Sequence, residues 1–239
     1  MSAKGRETNY SFACQPIVDS VDRRVVSFEM LVRGANGEPA LSVIDSVPEF
    51  ERYAFDNGLR ERAIAMAAQL GIKCNINLNL LPGCLAGQDD ALSATVAMAE
   101  DCGISPDRLI LEVTETEIIE DLPHFSEIIN RYRALGVMVA IDDFGAGYSG
   151  LNLLANFMPD SIKIDMSLIR DVNANGPRQA IVRGIVRTCA DLGIDVVAEG
   201  VESEREWRWC EDEGIQLFQG YFFARPGFED LPLAFIPEK

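Results

Sequence analysis

Histidine is almost absent from this chain: His124 is the only one in 239 residues. Any Ser-His-Asp triad, histidine-rich zinc site or Cys-His nucleophile would have to be built on that single side chain. It sits in the polar stretch Glu120-Asp-Leu-Pro-His-Phe at an expected helix start, where a capping or surface role is the ordinary one. Catalysis, if the chain performs any, must therefore run on carboxylates, amides and lysine. Cysteine pairs are missing too. The six cysteines (14, 74, 84, 102, 189 and 210) are scattered with no C-x-x-C spacing, which predicts reduced thiols serving mostly as small core residues.

Basic charge is scarce. Twenty-one Lys and Arg face 38 Asp and Glu, a formal net charge of −17 and a sequence pI near 4.4. A protein that grips DNA or RNA needs a broad basic face, so nucleic-acid partners are excluded. A small phosphate ligand is not, because a bound metal inverts the local field. Most of the acids read as solubilising surface. The opening MSAKGRETNYSF lacks the apolar core of a signal peptide, and no run reaches bilayer-spanning length. The expectation is a soluble cytoplasmic protein without membrane contact.

What is present is an alternation of short β-branched apolar runs with longer helical patterns, in a chain 48% apolar and 25% charged. Strands are predicted at residues 13–19, 25–33, 74–79, 109–115, 137–144, 161–165, 195–201 and 216–223. Helices are predicted at 41–70, 90–102, 124–135, 148–155, 178–192 and 203–213. Leu70-Gly71, Leu135-Gly136 and Leu192-Gly193 repeat a helix stop signal before the next strand. Only Ser20-Val-Asp-Arg-Arg24 separates the first two strands, too little for a crossover, so they should pair as an antiparallel hairpin. The later strands are nearly continuous apolar runs, as a helix-covered sheet requires. Eight strands in a chain of this length, with no linker or composition break, predict one α/β domain over 1–239: a TIM-like (β/α)8 barrel with an antiparallel first strand.

Polar residues recur near the C-terminal ends of these strands: Glu29, Asn77, Glu112, Asp142 with Asp143, Lys163 with Asp165, Glu199 and Gln219. One buried carboxylate in an apolar strand is more often a cap or ion-pair member. Seven strands repeating the pattern is different, because C-terminal strand ends of a barrel converge on one mouth. Acids gathered there repel unless something cationic neutralises them, and the candidates are Lys163, Arg33 and divalent metals. Oxygen donors without His or Cys suit Mg²⁺ or Mn²⁺ rather than zinc or copper. The adjacent Asp142-Asp143 pair is placed to bridge two ions, and two such ions can activate water and clamp a phosphodiester. Metal-dependent phosphoryl chemistry follows, with enolase-type isomerases still open at this stage.

The blocks Gln15-Pro-Ile-Val, Glu29-Met-Leu-Val-Arg33, Glu112-Val-Thr-Glu115, Asp142-Asp-Phe-Gly-Ala-Gly-Tyr-Ser149, Lys163-Ile-Asp165, Ala198-Glu-Gly-Val-Glu202 and Gln219-Gly-Tyr221 give the chain a resemblance to the EAL domain family, cyclic di-GMP phosphodiesterases, over nearly its whole length. Each block alone is weak; in order and at this spacing they are specific. The resemblance implies metal ligation by Glu29, Asn77, Glu112 and Asp142, a bridging or second-ion role for Asp143, and completion of the shell by Glu199. It implies that Lys163 orients or helps activate the attacking water, supported by Asp165 and Gln219, and that Gln15, Leu31 and Arg33 touch substrate. Residues 144–149, including Phe144, Gly145 and Gly147, match a loop coupling dimerisation to metal binding, anchored by Glu115, with Glu202 as a partner near Glu199. The implied cofactors are two divalent ions, Mg²⁺ or Mn²⁺. The implied partners are cyclic di-GMP, a second copy of the chain, and a sensor domain or partner protein; the product would be the linear dinucleotide. An inactive cyclic di-GMP receptor or interaction module is the alternative.

The glycines after Asp143 are compatible with an ordinary turn or with a mobile functional loop, and the two acids ahead of them favour the loop. Two departures from the family pattern stand out. Met30 replaces alanine and is expected to point away from Glu29 as a packing adjustment, and Cys14 stands where tyrosine is usual. Asn75, Asn77 and Asn79 share a face, and Asn77 is assigned to the metal site. The segment Leu-Asn-Leu-Leu-Pro and the Tyr53-Ala-Phe-Asp region look most like EAL domains attached to light-sensing modules.

Overall fold

The computed structural model describes residues 10–85, 92–114, 122–147, 153–155 and 157–238. The hairpin comes first: β1 (Tyr10–Asp19) pairs antiparallel along its length with β2 (Arg24–Gly34). Asp19 Oδ1 accepts from the Val21 and Asp22 amides at 2.8 and 2.9 Å, so the aspartate side chain builds the reversal. From β2 the sheet runs in parallel through β3 (Asn75–Asn79), β4 (Leu109–Thr114), β5 (Met138–Phe144), β6 (Ser161–Ile164), β7 (Asp195–Ala198) and β8 (Leu217–Phe218). β8 then pairs antiparallel with β1 and closes the ring. The fold is a closed, eight-stranded mixed barrel with helices between strands. Among the described residues no helix is long and apolar enough to cross a membrane.

A ninth strand, β9 (Gly227–Phe228), pairs with Ala13 and Cys14 of β1. At two residues it carries no periodicity to read. The helix expected over 41–70 is broken into Ala40–Ile44, a 3-10 turn Glu49–Glu51, and Arg52–Gln69. Pro48, at ψ 143°, is the cause: it has no amide hydrogen and drives the residue before it out of helical conformation. The further helices are Ser93–Asp101, Leu122–Arg133, Met166–Ile169, Gly176–Leu192 and Glu204–Asp212. Of the helix expected at 148–155, only 153–155 fall within the described residues, and they are helical. All three glycines of the Leu-Gly signals have positive φ. At Gly193 the φ of 70° lets Ile194 N–H reach back to Cys189 O at 2.9 Å, closing the helix.

Between the barrel and its helices lies a continuous apolar layer that includes Ile64, Ile76, Leu109, Leu111, Ile128, Ile162 and Phe218, all essentially inaccessible to solvent. Each such side chain contributes about 1.5–3 kcal/mol relative to exposure, which is what holds the strand ends in register. The strands at the mouth end earlier than expected, β7 at Ala198 and β8 at Phe218. Beyond them Glu199 and Gln219 sit on turns stitched together by backbone. Val201 N–H donates to Gln219 O at 3.1 Å, and a Cβ on Gly220 would lie 2.1 Å from Val201 O. Only glycine permits that approach.

Candidate active site

Strand register lines the polar residues up. Gln15 pairs with Glu29 across the hairpin, Glu29 with Asn77, Asn79 with Glu112, and Thr114 with Asp142. With side chains alternating along each strand, these positions project into the barrel mouth as one layer. Asp143 would normally point the other way. It does not, because the β5–β6 register slips between Ile141 and Phe144 and Asp143 takes a left-handed φ of 53°. A bulge of this kind re-aims a side chain, and here it turns two consecutive acids toward one centre. Of the three asparagines on β3, Asn77 is buried and Asn79 exposed. Asn77 Nδ2 donates to Glu112 Oε1 at 2.8 Å.

Lys163, 1% exposed, is the hub. Its Nζ lies 2.7 Å from Glu199 Oε1, 2.8 Å from Glu112 Oε1, 2.9 Å from Asp142 Oδ1 and 3.2 Å from Glu29 Oε2. Burial alone pushes the lysine pKa down, but the charges of Asp142, Glu112, Glu199 and Glu29 overcome this and hold it well above its ordinary value. Without metal, Lys163 is held as a cation among these acids. One ammonium against four carboxylates leaves an excess of negative charge. Desolvation, with the charges of Glu29 and Asp142, drives the Glu112 pKa well up despite Lys163. Glu199 is raised in the same way, by desolvation and then by Asp142 and Glu29. Desolvation and the neighbouring Asp142 and Asp165 raise Asp143 to about 6.

Gln219 Nε2 donates to Glu29 Oε2 at 2.8 Å and lies 3.2 Å from Gln15 Oε1, while Gln15 Nε2 donates to Ala224 O at 3.3 Å. Asp165 Oδ1 accepts from Ser167 N–H at 2.9 Å, capping the helix that follows β6. Glu202 shares the cavity of Glu199, but its carboxylate is bound by Arg170 at 2.7 Å on the surface. Arg33 does not join the acid cluster; its Nη1 donates to Val32 O at 2.7 Å. Phe144 is buried, Gly145 and Gly147 follow it in a turn, and Glu115 lies outside the described residues. His124, on helix Leu122–Arg133, belongs to neither acid group.

Those groups number two among the described residues. Glu29, Glu112 and Asp142 each offer an oxygen within 4.8 Å of the others, and so do Asp142, Asp143 and Glu199. Asp142 is common to both. Asn77 Oδ1 and Glu112 Oε2 are buried acceptors without a hydrogen-bond partner. Leaving such atoms unpaired is costly, and a hard divalent cation with an all-oxygen shell is the group that satisfies them. The residues present therefore fit divalent metal. Two cavities flank the acids. One, about 240 Å³, is lined by Gln15, Glu29, Asp143, Asp165, Glu199 and Gln219, with Tyr221 on its wall under the Arg225 guanidinium at 4.2 Å. The other, about 380 Å³, runs from Glu29 and Asp142 past Leu31 and Arg33 to helix Arg52–Gln69.

One structural residue escaped the sequence reading. Glu206, 4% exposed, accepts from the amides of Asp171 (2.8 Å), Glu202 (3.0 Å) and Ser203 (2.9 Å), tying the loop after β7 to the segment after β6. The Ser203-x-x-Glu206 capping box was the signal that marks it.

A barrel mouth with lysine-centred carboxylates and paired oxygen-ligand triads defines a class of metal-dependent barrel proteins. Within that class the particular family is shown by comparison: the EAL domain profile matches residues 3–226, and the chain belongs to this family. It is 40% identical over 235 residues to the blue light- and temperature-regulated antirepressor BluF of Escherichia coli K12, covering 97% of this chain but 58% of BluF. The cyclic di-GMP phosphodiesterase PdeR of the same organism is 33% identical over 215 residues, 84% of this chain and 32% of PdeR. The chain thus spans only part of the length of these curated relatives. Among solved structures, a standalone EAL protein from Vibrio cholerae O395 with cyclic di-GMP bound superimposes with a TM-score of 0.91 at 41% identity, covering 96% of this chain and 97% of that one. The manganese and cyclic di-GMP complex of Klebsiella pneumoniae BlrP1 gives 0.87 at 43% identity, covering 96% and 58%.

Proposed function

We propose that the chain hydrolyses one phosphodiester bond of cyclic di-GMP to the linear dinucleotide pGpG, using two divalent ions, Mg²⁺ or Mn²⁺. The observation that carries the proposal is the pair of carboxylate triads sharing Asp142 between two cavities, each able to receive one half of a symmetric dinucleotide. Glu29, Asn77, Glu112 and Asp142 would hold one ion, and Asp142, Asp143 and Glu199 the other. Bound there, the ions supply an acidified water and offset the charge developing on the phosphate. Lys163 keeps four carboxylates converged and would orient or help activate the attacking water. Gln219 fixes Glu29 and Gln15, and Asp165 holds the rim of the cavity beside Glu199. In the reaction the water oxygen bonds to phosphorus, the bond to the ribose 3′ oxygen breaks, and that oxygen leaves with a proton as a hydroxyl. Similarity to PdeR and to the ligand-bound structures supports this reading.

A second reading rests on the 40% identity to an antirepressor: a cyclic di-GMP-responsive binding module that acts through a partner protein. Incubation with cyclic di-GMP and Mn²⁺ or Mg²⁺, followed by chromatography, separates the two. The expected result is linear product, none in EDTA, and no detectable turnover for Glu29→Ala, a loss larger than the roughly 10–100-fold cost of removing an outer-shell partner. Tight binding without product under every metal would leave the binding module.

A further inference from the structure

We propose that Arg52 selects the base of the substrate, favouring guanine over adenine in the larger cavity. This rests on the cyclic dinucleotide reading above and adds a residue to it. The cavity has apolar walls that include Phe12, Leu31, Phe55 and Leu59, and it opens onto Glu29 and Asp142 at the reacting end. Such walls suit a flat heterocycle, with a few polar atoms left to choose among bases.

Several of the charged groups around it already have partners. Asp56 and Arg60 are buried against each other as an ion pair. Arg33 spends Nη1 on Val32 O and keeps its other N–H groups for the substrate contact expected of it. Arg52, the first residue of helix Arg52–Gln69, has its Nε–H buried and without a partner. A buried donor left unpaired is costly in a folded protein, and an acceptor brought by a ligand removes the cost. Guanine presents O6 and N7 side by side as acceptors, matching the guanidinium fork; adenine puts an amino donor in place of O6 and turns the same contact into a repulsion. A guanidinium is also a welcome cation in a chain of net charge −17 that must receive an anionic ligand.

The test compares wild type, Arg52→Met and Arg52→Lys for cyclic di-GMP and cyclic di-AMP. Affinity is measured by calorimetry in EDTA, and kcat/KM in Mn²⁺. Arg52→Met is expected to weaken cyclic di-GMP binding by about tenfold or more, the size of a lost bidentate base contact, while cyclic di-AMP binding moves less than about twofold. Arg52→Lys, which keeps the charge but not the fork, should lose most of the discrimination. In Mn²⁺ the ratio of kcat/KM for the two ligands should fall by the same factor. Equal weakening for both ligands, as a phosphate contact would give, overturns the assignment, as does no weakening. Wild type that binds cyclic di-GMP selectively without cleaving it would remove the phosphodiesterase reading and leave the role of Arg52 to the affinity arm. Wild type that binds neither dinucleotide in EDTA and turns over neither in Mn²⁺ removes both.

Discussion

Cys14 and Met30 are the two positions where the chain departs from the family pattern of tyrosine and alanine. They face each other across the β1–β2 ladder, and Cys14 Sγ lies 3.7 Å from Met30 Sδ, both buried. Bulk lost on one strand is regained on the other, as a close-packed interior demands. Burial, with the charge of Asp230, pushes the Cys14 thiol up to about 11, so it packs as a small apolar group. Met30 alternates with Glu29 along β2, and the exchange leaves the carboxylate on the opposite face. Met30→Ala alone should cost about 2–4 kcal/mol through the cavity it opens, and Cys14→Tyr alone about 1–3 kcal/mol through overpacking. The double variant should recover a large part of both, a coupling of about 1–3 kcal/mol read by urea denaturation. Strictly additive losses would show that the two departures are unrelated.

At the scale of elements, the site is held by connections between strand ends, and Glu206 makes the clearest one. Burial works against its charge, but the amides of Asp171, Glu202 and Ser203 and the Ser203 hydroxyl win and lower its pKa. Its stabilisation is present above the ordinary carboxylate range and fades as pH falls through it. Glu206→Ala strands three amides and should cost about 1–3 kcal/mol, or roughly 2–12 °C in Tm, with Glu206→Gln losing less. Equal Tm values for wild type and Glu206→Ala would refute the tie. The Ser203-x-x-Glu206 spacing is a local signal for this residue that the sequence analysis left unused, whereas the eight strands and their terminal acids were readable because a carboxylate interrupts an otherwise apolar run. Other features were not. The left-handed turn at Asp143 comes from a register slip against β6, a relation between strands that no local pattern encodes. Pro48 is a local breaker inside the stretch expected as one helix over 41–70, and it divides that stretch. Asp56 and Arg60 are buried against each other on helix Arg52–Gln69, and no local pattern marks them, because only the packed barrel shows which side of that helix is covered.

For the whole molecule, concentrating carboxylates at one mouth sets up a contest between protons and metal that should be visible in global stability. Asp143, raised to about 6 by burial and by Asp142 and Asp165, with Glu29 adding and Lys163 opposing, binds a proton more readily folded than unfolded. Its contribution without metal is therefore full below the ordinary aspartate value and is lost as pH rises through about 6. Glu206 pulls the other way, so the effect is isolated by difference. In EDTA, the Tm of wild type minus that of Asp143→Asn should fall between pH 5 and pH 7. Divalent metal reverses the sign, because the ionised form is the one that ligates. Mn²⁺ at a hundred times its dissociation constant stabilises by about 2.7 kcal/mol, roughly 5–11 °C for a chain of this size. That gain should be larger at pH 7 than at pH 5 and smaller in Asp143→Asn. A metal-induced Tm shift that ignores pH, or that Asp143→Asn leaves whole, would separate Asp143 from the metal-binding carboxylates and confine ligation to the deeper group of Glu29, Glu112 and Asp142.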